Sequence, residues 1–255
     1  MPAKGVFGSR HARVTPASTR GTLAIPATTL AIVVTGGDPP DPVLVEALGL
    51  PVDGRVVVAA DSGVAHALAL GLVVDVAVGD FDSLDPATLA SVEAAGTRVE
   101  RHPVAKDATD LELALDVAVG LGVERVIVLG GHGGRLDHFL ANALVLAAPQ
   151  YGAVEIEALV GDAVVTVVRP GPGFRFRGRS GQIVTILPVH GPAEGVRTDG
   201  LRYPLHGETL FVGTTRGVSN ELVAGEAHVS LTGGVAIVVR PGPSTSPIDH
   251  SEPGA

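Results

Sequence analysis

The chain has 255 residues, enough for one or two domains around a sizeable core, which excludes a disulfide- or metal-stapled miniprotein. It has no cysteine, so it has no disulfide framework, thiolate metal site or cysteine nucleophile, and the cytoplasm is the default compartment. The net charge of −9 is unevenly spread: residues 30–150 carry 17 acids against 6 bases, a balance that repels nucleic acid.

Residues 1–29 hold Lys4, Arg10, Arg13 and Arg20, no acid, and no apolar stretch of the kind a secretory signal needs. They are read as a disordered extension. No run of about 18 apolar residues follows anywhere, which argues against a membrane span. From Leu30, short β-branched runs alternate with helical stretches. LAIVVT (30–35), RVVVAA (55–60), VDVAVG (74–79) and RVIVLG (125–130) have the continuous apolar character of strands covered on both faces. SGVAHALALG, PATLASVEAAG and DATDLELALDVAVGLG between them read as helices. This alternation predicts an α/β fold whose N-terminal domain, residues 30–150, is a wound parallel sheet.

After Gln150 the texture changes. VEIEAL, AVVTVV, QIVTIL, LRYPL, TLFVGT, AHVSL and VAIVVR are strand candidates punctuated by Gly, Pro and Asp, and they predict a smaller antiparallel β-sandwich domain over 151–241. Residues 242–255 are read as a loose tail.

Ligands of open α/β sheets bind outside the carboxyl ends of the strands, so the residues that follow each strand matter most. These are Thr35, Gly36 and Gly37; Asp61, Ser62 and Gly63; the run GDFDS, with Asp80 and Asp82; and GGHGGRLDH, with Arg135, Asp137 and His138. KDATD, with Lys106, Asp107, Thr109 and Asp110, opens the long helix. Asp61, Asp80, Asp82, Asp107, Asp110 and Asp137 are therefore expected to converge on one rim. Like charges a few ångströms apart disfavour joint ionisation, and a divalent cation relieves that repulsion. An all-oxygen ligand set without Cys or HExxH favours Mg²⁺, which bridges carboxylates to substrate phosphates. Lys106, one of two lysines, and the glycine-flanked Arg135 are candidate phosphate contacts. Each motif also has a plain structural reading: Asp107, Asp110 and Asp137 as helix-start acids, GDFDS as an Asx-rich turn with Phe81 in the core, and His138 with Asn142 as a packing pair. GxxxxGK[ST], a placeable GxGxxG and GxSxG are all missing from the sequence.

ADSG (60–63), GDFDS (79–83), KDATD (106–110), GGRLDH (133–138), GLRYPL (200–205) and GVSNE (217–221), in that order, resemble the thiamine pyrophosphokinase family over about residues 30–240. The resemblance implies an α/β catalytic domain, a β-sandwich, and a homodimer with active sites at the subunit interface. The implied reaction is Mg²⁺-dependent transfer of diphosphate from ATP to the thiamine hydroxyl, leaving AMP. Carried over residue by residue, Asp82, Asp107, Asp110 and Asp137 are catalytic, and Asp80, Asp82 and Asp110 hold the metal. Gly36, Gly37, Asp61, Ser62, Lys106, Thr109, Arg135 and His138 bind ATP, while Ser219 and Asn220 meet thiamine. Asp110 or Asp82 is expected to take the hydroxyl proton. The tryptophan that some family members set against the thiamine rings has no counterpart in this chain. A pyrophosphokinase for another hydroxymethyl heterocycle of the pterin type is the nearer alternative. A non-catalytic nucleotide- or thiamine-binding regulator is the more distant one.

Overall fold

A computed structural model describes residues 29–51, 53–103, 108–133 and 135–242. The expectations for residues 1–28 and 243–255, and those for Lys106 and Asp107, lie outside them. The first half alternates as expected: β1 (Leu30–Val34), α1 (Pro42–Ala47), β2 (Arg55–Ala60), α2 (Gly63–Ala69), β3 (Val76–Gly79), α3 (Pro86–Ala94), β4 (Arg98–Arg101), α4 (Asp110–Gly120), β5 (Arg125–Leu129) and α5 (Leu136–Leu146). The second half is β6 (Glu155–Val160), β7 (Ala163–Val168), β8 (Phe174–Arg177), β9 (Ile183–Pro188), β10 (Ala193–Asp199), β11 (His206–Leu210), β12 (Asn220–Glu221), β13 (Glu226–Ser230) and β14 (Ala236–Arg240).

Local chemistry sets the helix starts. Asp41 and Asp85 accept the N–H groups of Val43 and Thr88 (2.8 and 3.0 Å) just before Pro42 and Pro86, whose fixed φ suits a first helical position. Thr109 caps α4 by accepting the Glu112 N–H at 3.2 Å, and Asp110 and Glu112 complement the helix dipole. The inner face of α4 buries Leu111, Ala114, Leu115 and Ala118 against the sheet. Along β1, Ala31 and Val33 enter one core while Ile32 and Val34 enter the core on the opposite face, which is why the run is apolar without alternation.

Ten strands form one sheet in the order β12-β9-β14-β7-β6-β5-β1-β2-β3-β4. From β6 to β4 the pairing is parallel, and from β7 to β12 it is antiparallel. This corrects the reading of VEIEAL as the opening of the antiparallel part: β6 pairs in parallel with β5, Arg125 opposite Glu155 through Leu129 opposite Leu159. The second sheet, β11-β10-β13-β8, packs its apolar face on β7, β9 and β14. Val168, Phe176, Val184, Ile186, Leu210 and Val238 belong to that core. The smaller antiparallel part therefore shares a sheet with the parallel one. LRYPL is not a strand: it makes a single bridge, Leu201 to Leu222, and then turns.

Leu115 is fully buried on α4 and faces the strands that carry the rim. Leu115→Ala is expected to lower stability by about 2–5 kcal/mol, seen as a lower urea midpoint with an unchanged slope.

Candidate functional site

The rim lies at the carboxyl ends of β1, β2, β3 and β5. The turn after β2 places Asp61 in the left-handed region (φ 49°), with its N–H donated to the Val78 carbonyl at 2.9 Å and its carbonyl accepting the Val64 N–H at 3.1 Å. Both ends of the turn are thus tied down, and the residue is 7% exposed. After β3, Phe81 also adopts a left-handed conformation (φ 60°) and turns its ring into the core beneath the Arg101 guanidinium, 5.6 Å from the ring centre. The structural reading of Phe81 is therefore correct, and its consequence is that Asp80 and Asp82, on either side of it, project to the rim.

Asp61, Asp80 and Asp82 each present an oxygen, and the three atoms lie within 4.8 Å of one another. Oδ1 of Asp61 is buried with no hydrogen-bond partner among the described residues. Desolvation pushes the Asp61 carboxyl above the usual carboxylate range, and the charges of Asp110 and Asp80 push the same way. The Ser62 N–H and the Ser83 hydroxyl oppose them. A buried, unpaired carboxylate oxygen beside two further carboxylates is a poor place for a proton-free acid alone and a good one for a hard divalent cation.

The glycines around this group are there for space. A Cβ on Gly36 would lie 2.4 Å from Ser62 Oγ, and one on Gly63 2.3 Å from the Val34 carbonyl oxygen. A Cβ on Gly37, where φ is +103°, would lie 2.2 Å from the His132 carbonyl oxygen. The TGG turn is thus wedged between the Asp61–Ser62 turn on one side and the loop after β5 on the other.

The remaining candidates divide. Asp110 sits at the start of α4 within electrostatic reach of Asp61. Thr109 spends its hydroxyl oxygen on capping. Asp137 does not join the three-carboxylate group: Arg135 Nε donates to its Oδ1 at 3.2 Å and the guanidinium holds the other oxygen as well, lowering the carboxyl to about 2. Nor does Asp137 cap its helix, whose N-cap position belongs to Arg135. His138 is exposed on the same first turn. Asn142 donates to the Gly131 carbonyl at 3.4 Å, at the edge of a cavity of about 610 Å³ lined mostly by apolar residues of α5, β6, β7, β9 and β14.

Ser219 and Asn220 lie at the far edge of the sheet. Ser219 is left-handed (φ 54°) with its N–H on Thr185 Oγ1 at 3.0 Å. Asn220 is 3% exposed; its Oδ1 accepts the N–H groups of Tyr203 and Glu221, and its Nδ2 donates to the Tyr203 carbonyl at 2.7 Å. Most of its amide therefore holds the turn that carries the exposed Tyr203. One contact lay beyond the reading of the sequence: Asp38, after β1, meets His132, after β5. Both follow strands, and that position was the available signal.

A wound sheet with an acid cluster on its carboxyl rim, extended into an antiparallel module, defines an α/β enzyme with an appended binding part. Residues 52–158 match the family described as thiamin pyrophosphokinase, catalytic domain, and residues 174–236 match thiamin pyrophosphokinase, vitamin B1 binding domain. The thiamine pyrophosphokinase of Bacillus subtilis is 26% identical over 208 residues, 82% of this chain and 96% of the relative. Its crystal structure superposes with a TM-score of 0.72 over 84% of this chain and 99% of that one. The thiamin pyrophosphokinase structure from Geobacillus thermodenitrificans, 28% identical, gives 0.70 over 85% and 99%. The chain belongs to the thiamin pyrophosphokinase family.

Arg135 and Asp137 are a solvent-exposed pair, so their coupling is testable by titration. In Arg135→Ala the Asp137 carboxyl is expected to return from about 2 towards the ordinary aspartate value, about 3.9, followed by carbon-13 NMR. The depressed value means that the pair's small contribution to stability is present at neutral pH and is lost as pH falls towards 2.

Proposed function

We propose that the protein transfers the terminal diphosphate of ATP to the hydroxyl of thiamine, giving thiamine diphosphate and AMP, with Mg²⁺ held by Asp61, Asp80 and Asp82. The observation that carries the reading is the orphaned, buried Asp61 oxygen within 4.8 Å of oxygens from Asp80 and Asp82, in a chain of this family. When bound, Mg²⁺ supplies the positive charge that offsets both the carboxylates and the triphosphate.

The chain's own residues position the reactants. The Gly36–Gly37 turn packs closely on Ser62 beside the acid group, and a glycine backbone allows close approach of a phosphate. Asp110 adds negative charge at the mouth of the site, which favours a metal-bound over a free nucleotide. Lys106, Thr109, Arg135 and His138 complete the ATP contacts in this reading, with Arg135 released from Asp137 or shared between it and phosphate, and Asp107, Asp110 and Asp137 join Asp82 as the catalytic carboxylates. Ser219, with the Tyr203 turn that Asn220 holds, meets thiamine. Diphosphate transfer asks mainly for alignment and charge neutralisation, which such a set supplies.

The same reading calls for two copies. Counting along the sheet, β12 lies seven strand steps from β2, roughly 34 Å at about 4.8 Å per step. A single thiamine does not span that distance, so the Ser219 loop that serves one acid cluster comes from a second copy, as a homodimer with shared active sites provides. Among the described residues no helix is long and apolar enough to cross a membrane.

Incubation with ATP, Mg²⁺ and thiamine is expected to give equimolar AMP and thiamine diphosphate; ADP as the nucleotide product, or equal turnover of a hydroxymethyl pterin, rejects the reading. Asp82→Asn is expected to lower kcat by about 10²-fold or more while the thermal midpoint stays at or above that of the parent, since one charge leaves a repulsive group.

A further inference from the structure

Two loops on the rim meet in a way the metal site does not require. The Asp38 N–H donates to the His132 carbonyl at 2.7 Å, and Asp38 Oδ2 lies 3.4 Å from His132 Nδ1. The meeting is built by glycine on both sides. A Cβ on Gly37 would fall 2.2 Å from the His132 carbonyl oxygen, and one on Gly133, at φ +141°, would fall 2.6 Å from the Asp38 nitrogen and 2.9 Å from its Oδ1. The Phe139 ring packs against the imidazole edge to face, centres 5.7 Å apart at 81°. Charge near the ring comes from Asp38 on the β1 loop; α5 presents Phe139 and the β6–β7 turn presents Gly161, a Cβ on which would lie 4.0 Å from Nδ1. Nε2 makes no hydrogen bond to a described residue, and half of the side chain is open to solvent.

The pair stands beside the acid cluster. Gly37 touches His132 while the adjacent Gly36 touches Ser62, the neighbour of Asp61. β5 and β2 are two strand steps apart, roughly 10 Å, and a triphosphate bridges such a gap. With Nδ1 3.4 Å from the Asp38 carboxylate, the tautomer this neighbour favours carries its proton on Nδ1 and its lone pair on Nε2, the atom left open here. Asp61, Asp80 and Asp82 face the proposed cation, and the imidazole on the neighbouring loops is a proton acceptor that this cation does not engage.

We propose that His132, positioned by Asp38, is the general base of the diphosphate transfer. This rests on the reading of the site as an ATP-dependent diphosphotransferase, and it replaces Asp82 or Asp110 as the proton acceptor. The acceptor hydroxyl oxygen bonds to the β-phosphorus, and the bond from that phosphorus to the oxygen bridging the α-phosphorus breaks. The electron pair of that bond leaves on AMP, and the hydroxyl proton passes to His132 Nε2 and then to water. Atoms and charge balance without a further reactant.

The test compares the full chain with His132→Gln, His132→Ala and Asp38→Asn, measuring kcat and both KM values from about pH 5 to 9. His132→Gln is expected to lose about 10²-fold in kcat with both KM values nearly unchanged, and to lose the acidic limb of the kcat/KM profile. Added imidazole should restore part of the His132→Ala rate, and Asp38→Asn should lose roughly tenfold. Nitrogen-15 NMR of the free protein should show the Nδ1–H tautomer at His132, shifted in Asp38→Asn. A His132→Gln enzyme that forms AMP and thiamine diphosphate within about twofold of the parent rate, with its acidic limb intact, overturns the base assignment and leaves the diphosphotransfer reading standing. A parent chain that forms no AMP overturns both.

Discussion

The structure turns on the electrostatics of one buried atom. Asp61 is held by backbone hydrogen bonds at both ends of a left-handed turn, the residue is buried, and one of its carboxylate oxygens has no partner among the described residues. Asp80, Asp82 and Asp110 all raise the local negative potential. An unpaired buried charge costs several kcal/mol in general, and a protein does not keep such a feature for packing. The rest of the rim follows from holding those carboxylates together until a cation and its phosphate ligand relieve the repulsion.

The backbone enforces this arrangement, and it does so with unusual conformations in few places. Asp61 and Phe81 occupy the left-handed region without being glycine, which side chains adopt only when surrounding contacts compel it. In each case the compulsion is visible: the Val78 carbonyl grips the Asp61 N–H, and burial of the Phe81 ring under Arg101 pins the turn that aims Asp80 and Asp82. Gly36, Gly37 and Gly63 then let three loops pack within hard-contact distance. A hydrophobic side chain thus positions two acids, and three glycines position the loops between them.

Much of this was legible in the residues, for physical reasons that also mark where legibility stopped. Strands β1, β2, β3 and β5 are buried on both faces, so their apolar runs announced them, and the carboxylates that follow them could be located without coordinates. The sheet's edge strand β4, RVER, carries charge and gave no such signal. β6 alternates Glu155 and Glu157 with apolar residues and looks antiparallel; its parallel pairing depends on β5, a partner chosen by the whole fold. LRYPL looked like a strand because its apolar residues are buried, but Asn220 bonds both the N–H and the C=O of Tyr203 and withdraws them from any ladder. Asp61, Asp80 and Asp82 were readable from position after strands, whereas the pairing of Asp137 with Arg135, two residues away, apart from that cluster, was not. The Asp38–His132 meeting joins loops distant in sequence; their position after β1 and β5 put both on the rim, but their pairing depends on the fold.

One sheet joins both halves of the protein, and this shapes how the chemistry is divided. Because the ladder runs unbroken from β4 to β12, the acid-bearing rim and the Ser219 edge are fixed relative to each other by backbone hydrogen bonds. A flexible linker allows one chain to fold its binding part over its own rim; a shared sheet forbids it. That continuity is what the proposed completion of the site from a second copy rests on. Within one rim the groups separate as well: the acids that follow β2 and β3 suit a cation and the phosphates it carries, while the loops after β1 and β5 bring the His132 imidazole beside the Asp38 carboxylate. Two strand steps separate the acid cluster from that pair, so the proposed tasks of charge neutralisation and proton acceptance fall to different loops of one rim.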